Sequence, residues 1–294
     1  AIADKSQIFQ LIHAMKGGSK VIACVAPAFV SQFGDKVTPA KLRSAMREIG
    51  FSDVVEVAIG ADLCAVQEAE DFVKEVPEKL PFMATSCCPA WSVMAKKLFP
   101  EQANCISMAL TPMTLTARLI KHHQPGAKVA FIGPCAAKKL EAMRRTVRSE
   151  VDFVLTFEEM AGIFEARHID VNTLKEDPHG VNDASADGRN FAVSGGVAQA
   201  VVNVIKEKYP DREIKVANAE GLSECRKLMM MAKAGKYNGY LLEGMACPGG
   251  CVAGAGTMQS IKKSSVAVNM YAKQAEHQVA TGTHHVAELD KLVD

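Results

Sequence analysis

No run of apolar residues in this 294-residue chain approaches the roughly 18 that a membrane-spanning helix requires. The opening AIADKSQIFQ lacks the basic start and apolar stretch of a secretory signal. Charge of one sign is not in excess either: 34 Lys and Arg stand against 33 Asp and Glu, scattered along the chain. Neither nucleic acid nor an anionic membrane is therefore suggested as a partner. Low-complexity tracts are missing, and 48% apolar with 23% charged residues is the composition of a folded soluble protein. An initiator Met is also missing, so Ala1 either follows processing or marks a domain cut from something longer. Together these absences make the cytoplasm the simplest expected location.

Cysteine, by contrast, is plentiful. Nine is an odd number, and several lie in apolar strand-like runs, as Cys24 does in VIACVAPAFV and Cys105 in NCISMAL. That usage favours reduced thiols and metal ligands over a disulfide framework. The single tryptophan, Trp91, falls in TSCCPAW, which sets Cys87 and Cys88 side by side. Adjacent thiols do not ordinarily bond to each other or share one metal with relaxed backbone geometry. Each needs its own explanation.

Short β-rich runs alternate with helical periodicity, the pattern of parallel sheets covered by helices. Strands are expected near Lys20–Ala26, Val54–Ala58, Pro81–Thr85 and Asn104–Met108, with helices over Pro39–Ile49, Asp62–Val76 and Pro89–Leu98. A second series has strands in KVAFIGP, DFVLT, EIKVANA and YNGYLLEGM, and helices over Ala136–Arg145, Gly196–Lys208 and Leu222–Lys233. The turn-rich HHQPGAK separates the two series. The fold class expected is α/β, two lobes that are each a mainly parallel sheet flanked by helices, with a metal cofactor in the seam. Residues 1–124 would form the first lobe, 125–260 the second and 261–294 a C-terminal helical cap, together one catalytic unit.

Ligands in such sheets sit at the carboxyl ends of strands. Cys87 and Cys88 follow FMATS, Cys135 follows VAFIGP, Cys247 follows LLEGMA, and Cys251 lies one helical turn further on. Four thiols from two lobes can therefore meet in the seam. A structural zinc site is the plain alternative, but it is usually built from two closely spaced pairs. Here Cys88 and Cys135 stand alone, and four thiolates in a dry interface suit a [4Fe-4S] cubane. The glycines of ACPGGCVAGAG would let backbone pass close to a bulky inorganic group, or simply make a tight turn; those of GGV at Gly195 read as packing.

TSCCPAW, GPCAAKKLE (Gly133–Glu141) and EGMACPGGCVAGAG (Glu243–Gly256) resemble, in order and spacing, the three signatures of the catalytic domain of [FeFe]-hydrogenases. The resemblance runs from VAPA at Val25–Ala28 through Gly256 and covers most of the chain. It implies that Cys88, Cys135, Cys247 and Cys251 hold a [4Fe-4S] cluster. The Cys251 thiolate would also bridge to a two-iron subsite with carbonyl, cyanide and a bridging dithiolate, inserted by maturation proteins. The implied reaction is reversible reduction of protons to dihydrogen.

By the same resemblance, Lys138 meets a cyanide, Pro27 and Ala28 line the subsite by close backbone approach, and Met245 packs on it. Cys87 would exchange protons with the dithiolate amine, and Glu68, Ser107 and Asp71 would lead protons to solvent. Glu68 and Asp71, three apart on one helix, share a face. Electrons would come from a ferredoxin or from fused iron–sulfur domains, since no cysteine run precedes Cys24. A basic docking patch could include the neighbours of Lys138, or Lys262 and Lys263.

The match departs at Gly133 and Met113, where the common form has methionine and glutamine, at Ala90 in place of glycine, and at Glu75 in place of arginine. These changes resemble a divergent subgroup. Two other functions compete: a hydrogen-sensing regulatory module with the same cofactor, and a scaffold holding only the cubane. Retention of Cys87 argues against the first, because a sensor has less need of fast proton transfer. Lys138, Met245 and VAPA argue against the second, because a bare cubane has no cyanide to bind.

Overall fold

Val21–Val25 (β1) is buried at every position, as a strand covered on both faces must be. The structure, a computed structural model, describes residues 5–180 and 183–293. In it β1 pairs in parallel with Asp53–Glu56 (β2) on one side and Lys128–Gly133 (β4) on the other, and β4 pairs in parallel with Phe153–Thr156 (β5). The order of this sheet is β2-β1-β4-β5. A second parallel sheet has the order β3-β7-β6, from Met83–Ala84 (β3), Lys215–Glu220 (β6) and Tyr240–Met245 (β7). Parallel sheets flanked by helices are the architecture the alternating pattern requires.

The helices are Ile8–Lys16 (α1), Pro39–Ile49 (α2), Ala58–Glu75 (α3), Pro89–Leu98 (α4), Pro112–His123 (α5) and Ala137–Met143 (α6). They continue with Phe157–Ala166 (α7), Ala186–Asn190 (α8), Gly196–Lys208 (α9), Leu222–Lys233 (α10) and Ile261–Ala272 (α11). Local chemistry sets several ends. Thr38 caps α2 by accepting the Lys41 amide at 3.2 Å, and Gly50, with φ +120°, closes it. Thr156 and Glu159 form a capping box on α7. The C-terminal part is helical, with α11 followed by 3₁₀ turns at Ala280–Gly282 and His284–Lys291.

Two expectations need correction. Asn104–Met108 is not a strand: Pro100–Cys105 turns as a 3₁₀ helix, and only Ile106 makes an isolated bridge, to Ala84. Pro100, with its fixed φ and missing donor, starts a turn readily and a ladder poorly. The boundary at residues 124 and 125 does not divide the sheets either. The first draws β1 and β2 from one side of it and β4 and β5 from the other, and the second joins β3 to β6 and β7. Pairing is decided by long-range burial, which a turn signal between the series does not report. No helix among the described residues is long and apolar enough to cross a membrane.

Candidate metal centre between the sheets

Four strands end at one place. Ala26–Ala28 follow β1, Cys87 and Cys88 follow β3, Cys135 follows β4 and Cys247 follows β7. These carboxyl ends surround a cavity of about 200 Å³, far more than the ~10–15 Å³ a single water needs. Its lining includes Pro27, Ala28, Cys87, Cys88, Met113, Cys135, Lys138, Met245, Cys247 and Cys251. All four expected ligands and five other expected site residues thus face one space.

TSCCPAW builds its corner of the cavity through the helix it starts. Pro89 is the first residue of α4, where its missing N–H costs nothing, and Cys88 is the N-cap. Cys88 therefore stands at the positive end of a helix dipole. Trp91 braces the motif: its Nε1 donates to the Thr85 carbonyl at 2.9 Å, and its ring lies against Gly244 of β7, where any Cβ would collide with it. Gly249 and Gly250 both hold positive φ, +94° and +92°, and a Cβ on Gly250 would come within 2.6 Å of the Ser194 amide. Gly254 packs as tightly on Pro134, so the third cysteine motif is pressed against the second. Gly195 also turns through positive φ, +87°, and its amide donates to Glu243 at 2.6 Å.

The thiols show what could sit among them. Burial raises the Cys135 and Cys247 thiols above their ordinary range, with Cys88 adding to each. It raises Cys251 further, helped by Cys135, Cys88 and Cys247. Such a donor set opposes its own ionisation until a cationic centre lies within it. Among the described residues no three His, Cys, Asp or Glu side chains converge closely enough to share one ion. A cubane spreads four thiolates over four irons, and the four thiols lining the cavity fit such an iron–sulfur centre.

Lys138 is buried, and its Nζ donates to the Cys87 carbonyl at 3.2 Å and to Glu141 Oε2 at 2.7 Å. Burial works to lower its pKa, but the Glu141 carboxylate outweighs it and the net direction is upward, so the ammonium stays charged. Glu141 is in turn held by the Thr111 hydroxyl at 2.6 Å. Sequence reasoning missed Glu141 as a site residue, although its spacing of three from Lys138 on a helix was the available signal. Cys225 was missed too; its thiol donates to the carbonyl of Met245 at 3.5 Å, behind the cavity wall.

The expected relay lies behind Cys87. Glu68 is fully buried, and one oxygen accepts the Ser86 amide at 3.3 Å while the other has no well-formed hydrogen bond among the described residues. Burial pushes its pKa up to about 7, against the pull of the Ser107 side chain and the Ser86 amide. Ser107 is buried nearby and its Oγ accepts the Ala109 amide at 3.1 Å. Asp71, one turn further along α3, is partly exposed, and burial raises it as well.

Position 133, a glycine where the resemblance leads one to expect methionine, is crowded by its own strand. Phe131 and Gly133 point to the same face of β4, and the Phe131 ring leans over the glycine into the cavity wall. A Cβ at 133 would lie 2.6 Å from Phe131 Cζ and 3.0 Å from the Ala26 Cβ. Gly133→Met alone should overpack this wall by ~1–3 kcal/mol in denaturant melts. Phe131→Ala combined with Gly133→Met should recover most of that loss. A Gly133→Met protein as stable as the parent would show that the ring and the glycine are not coupled.

Residues 19–255 match the model of the iron-only hydrogenase large subunit, C-terminal domain. Iron hydrogenase 1 of Clostridium pasteurianum is 26% identical over 99% of this chain and 61% of its own length. Human nuclear prelamin A recognition factor is 27% identical over 80% of this chain and 62% of its own length. The chain thus spans about three fifths of each of these curated relatives. An apo [FeFe]-hydrogenase from Chlamydomonas reinhardtii superposes with a TM-score of 0.80 at 22% identity, covering 98% of this chain and 94% of that one, which is a likeness of fold. The matched stretch takes in both parallel sheets and every thiol around the cavity, and the chain belongs to the iron-only hydrogenase large-subunit family as its C-terminal, cluster-binding type of domain.

Proposed function

We propose that this chain catalyses the reversible reduction of protons to dihydrogen. Cys88, Cys135, Cys247 and Cys251 would hold a [4Fe-4S] cluster, with a two-iron subsite bearing carbonyl, cyanide and a dithiolate attached through Cys251. The observation that carries this reading is that Cys87, Lys138, Pro27, Ala28 and Met245 line the same cavity as the four ligand cysteines. A domain serving the cubane alone would have no use for that second set.

When bound, the cofactor would supply the redox chemistry. The chain's own residues supply placement and protons. Lys138 has three donors, two of them used on Cys87 and Glu141, so one remains for a buried anionic ligand such as cyanide. Pro27 and Ala28 bring backbone to the cavity with little side-chain bulk. Met245 adds a polarisable wall, fixed through its strand β7. Cys87 holds a proton at the cavity edge, and Glu68, poised near neutrality, receives or returns it toward Ser107 and Asp71.

Family membership does not by itself settle the activity, since a relative named for prelamin A recognition shares the domain. A cubane-only scaffold is the second reading. Infrared spectra after maturation, followed by viologen-linked hydrogen uptake and evolution, separate them. Carbonyl and cyanide bands with turnover support the hydrogenase. Their absence after proper maturation leaves the scaffold, and bands with negligible turnover leave a sensor.

Glu68 yields a prediction with an independent pH signature. Its carboxyl is raised in the fold, so between pH ~4.5 and 7 the native state binds a proton that the unfolded chain releases, and stability falls as pH rises through that window. Below ~4.5 the penalty vanishes, and above 7 it is complete, at about 3 kcal/mol. Glu68→Gln should flatten this slope and stabilise the protein at pH 8, while turnover drops by about 10²-fold. A Gln variant with parental turnover would remove Glu68 from the proton route.

A further inference from the structure

We propose that Glu243 is the positioning residue of the third cysteine motif: its buried carboxylate ties β7 to the start of α9 and so fixes the loop that carries Cys247 and Cys251. The proposal rests on those two cysteines as cubane ligands and adds what sets their spacing.

α9 begins at Gly195, which has no side chain to cap it. Its free amides are met from a strand instead. Glu243, on β7 and 0% exposed, accepts the Gly195 amide at 2.6 Å with Oε1 and the Ala198 amide at 2.7 Å with Oε2. These are the N-cap amide and the third helical amide, the pair that a local capping box satisfies with two side chains. One remote carboxylate serves both. Burial raises its pKa, and the Ala198 and Gly195 amides oppose that rise. The two bonds are as short as charge-assisted ones, and they lie at the positive end of a 13-residue helix.

The segment just before α9 is the bed on which the cysteine loop lies. The Ser194 amide donates to the Gly249 carbonyl at 3.1 Å, and the Val252 amide donates to the Ala192 carbonyl at 3.2 Å. A Cβ on Gly250 would stand 2.6 Å from the Ser194 amide and 2.9 Å from the Ala192 carbonyl oxygen, so loop and segment meet backbone to backbone. Glu220 of β6, paired with Met245 of β7, accepts the Gly249 amide at 2.9 Å. Both backbone groups of Gly249 are therefore held. The contacts close a ring: β7 leads into Cys247, the loop lies on residues 192–194, these enter α9, and Glu243 returns α9 to β7 just before the motif. Glu243 does not itself line the cavity, so it acts on the cysteines through this ring. Without its carboxylate the ring opens at α9, and Cys251 is free to shift relative to Cys247.

The test uses the full chain, first without iron and then reconstituted with iron and sulfide. In the iron-free chain, hydrogen exchange read by mass spectrometry should run about tenfold faster over residues 192–198 and 247–254 in Glu243→Ala than in the parent, with β1 and β4 unchanged. Glu243→Gln is equal in shape but turns an NH₂ toward one of the two amides, so it should show the same change. A side chain that merely fills space would tolerate it. In reconstituted protein both variants should surrender iron to a chelator about tenfold faster and broaden the electron paramagnetic resonance of the reduced cubane. Val204→Ala, which loosens the buried face of α9 away from its start, should leave the exchange over 247–254 and the resonance at parental values. Parental exchange over 247–254 in Glu243→Ala, a Gln variant that behaves like the parent, or a Val204→Ala protein whose resonance moves as far as that of Glu243→Ala would each overturn the proposal. A parent that takes up no cubane would instead count against the ligand reading, and the exchange arm would still decide whether Glu243 holds the loop.

Discussion

Cys87→Ala is expected to keep the carbonyl and cyanide bands of matured protein while losing turnover by about 10²–10⁴-fold, and Cys88→Ala is expected to lose the cubane. The two thiols are neighbours in sequence but stand differently in the fold. Cys88 is the N-cap of α4, fixed by Pro89 at the first helical position, and faces the cavity with Cys135, Cys247 and Cys251. Cys87 precedes the helix; its carbonyl accepts the Lys138 ammonium, and Cys64, Glu68, Cys88 and Cys251 all act on its thiol. An alanine there removes a transferable proton and little volume, so the cofactor should remain. Iron content, infrared bands and viologen-linked rates, taken on the same samples, decide the matter. A Cys87→Ala protein with parental rates would show that protons enter elsewhere, and a Cys88→Ala protein with a full complement of iron would displace Cys88 from the ligand set.

The strand-end positions of the cysteines were legible because parallel strands announce themselves locally, as VAFIGP and YNGYLLEGM do, and their carboxyl ends are where loops carry function. Which sheet each strand joins was not legible. β3 is two residues long, and its pairing with β7 depends on Trp91, Gly244 and the core around them rather than on its own pattern. Phe131, two residues before Gly133, reads as ordinary core until its ring is seen where a Cβ at 133 would lie. Glu141 was hidden for the opposite reason. It sits in a basic, helical segment where an acidic residue is usually a solvated face, and only its burial and its bonds to Lys138 and Thr111 give it a role. The buried network of Glu56 with Arg189 and Tyr271 was out of reach entirely, because these two partners lie 133 and 215 positions from the carboxylate.

That network carries the largest expected loss of stability: Arg189→Met should destabilise the protein by about 3–5 kcal/mol in urea. Arg189 and Glu56 are each only 1% exposed. The guanidinium meets the carboxylate through two bonds, Nη2 to Oε1 at 2.9 Å and Nε to Oε2 at 3.2 Å, and stacks 4.0 Å over the Tyr271 ring. Tyr271 Oη donates to Glu56 at 3.1 Å, and the Asp183 and Ala184 amides donate at 3.0 Å. β2, α8, α11 and the segment entering α8 are tied to one carboxylate. Removing the arginine leaves that charge buried among neutral donors, whereas Glu56→Gln with Arg189→Met removes both charges and should cost distinctly less than the single change. The effect should reach the cofactor. α8 leads into Phe191 and Ala192 of the cavity wall, and the Ala192 carbonyl accepts the Val252 amide at 3.2 Å, one residue beyond Cys251. On mild warming, Arg189→Met protein should therefore release iron before it loses its far-ultraviolet signal. A single variant that loses less than about 1 kcal/mol, or that unfolds and releases iron together, would show that the buried pair does not brace the third cysteine motif.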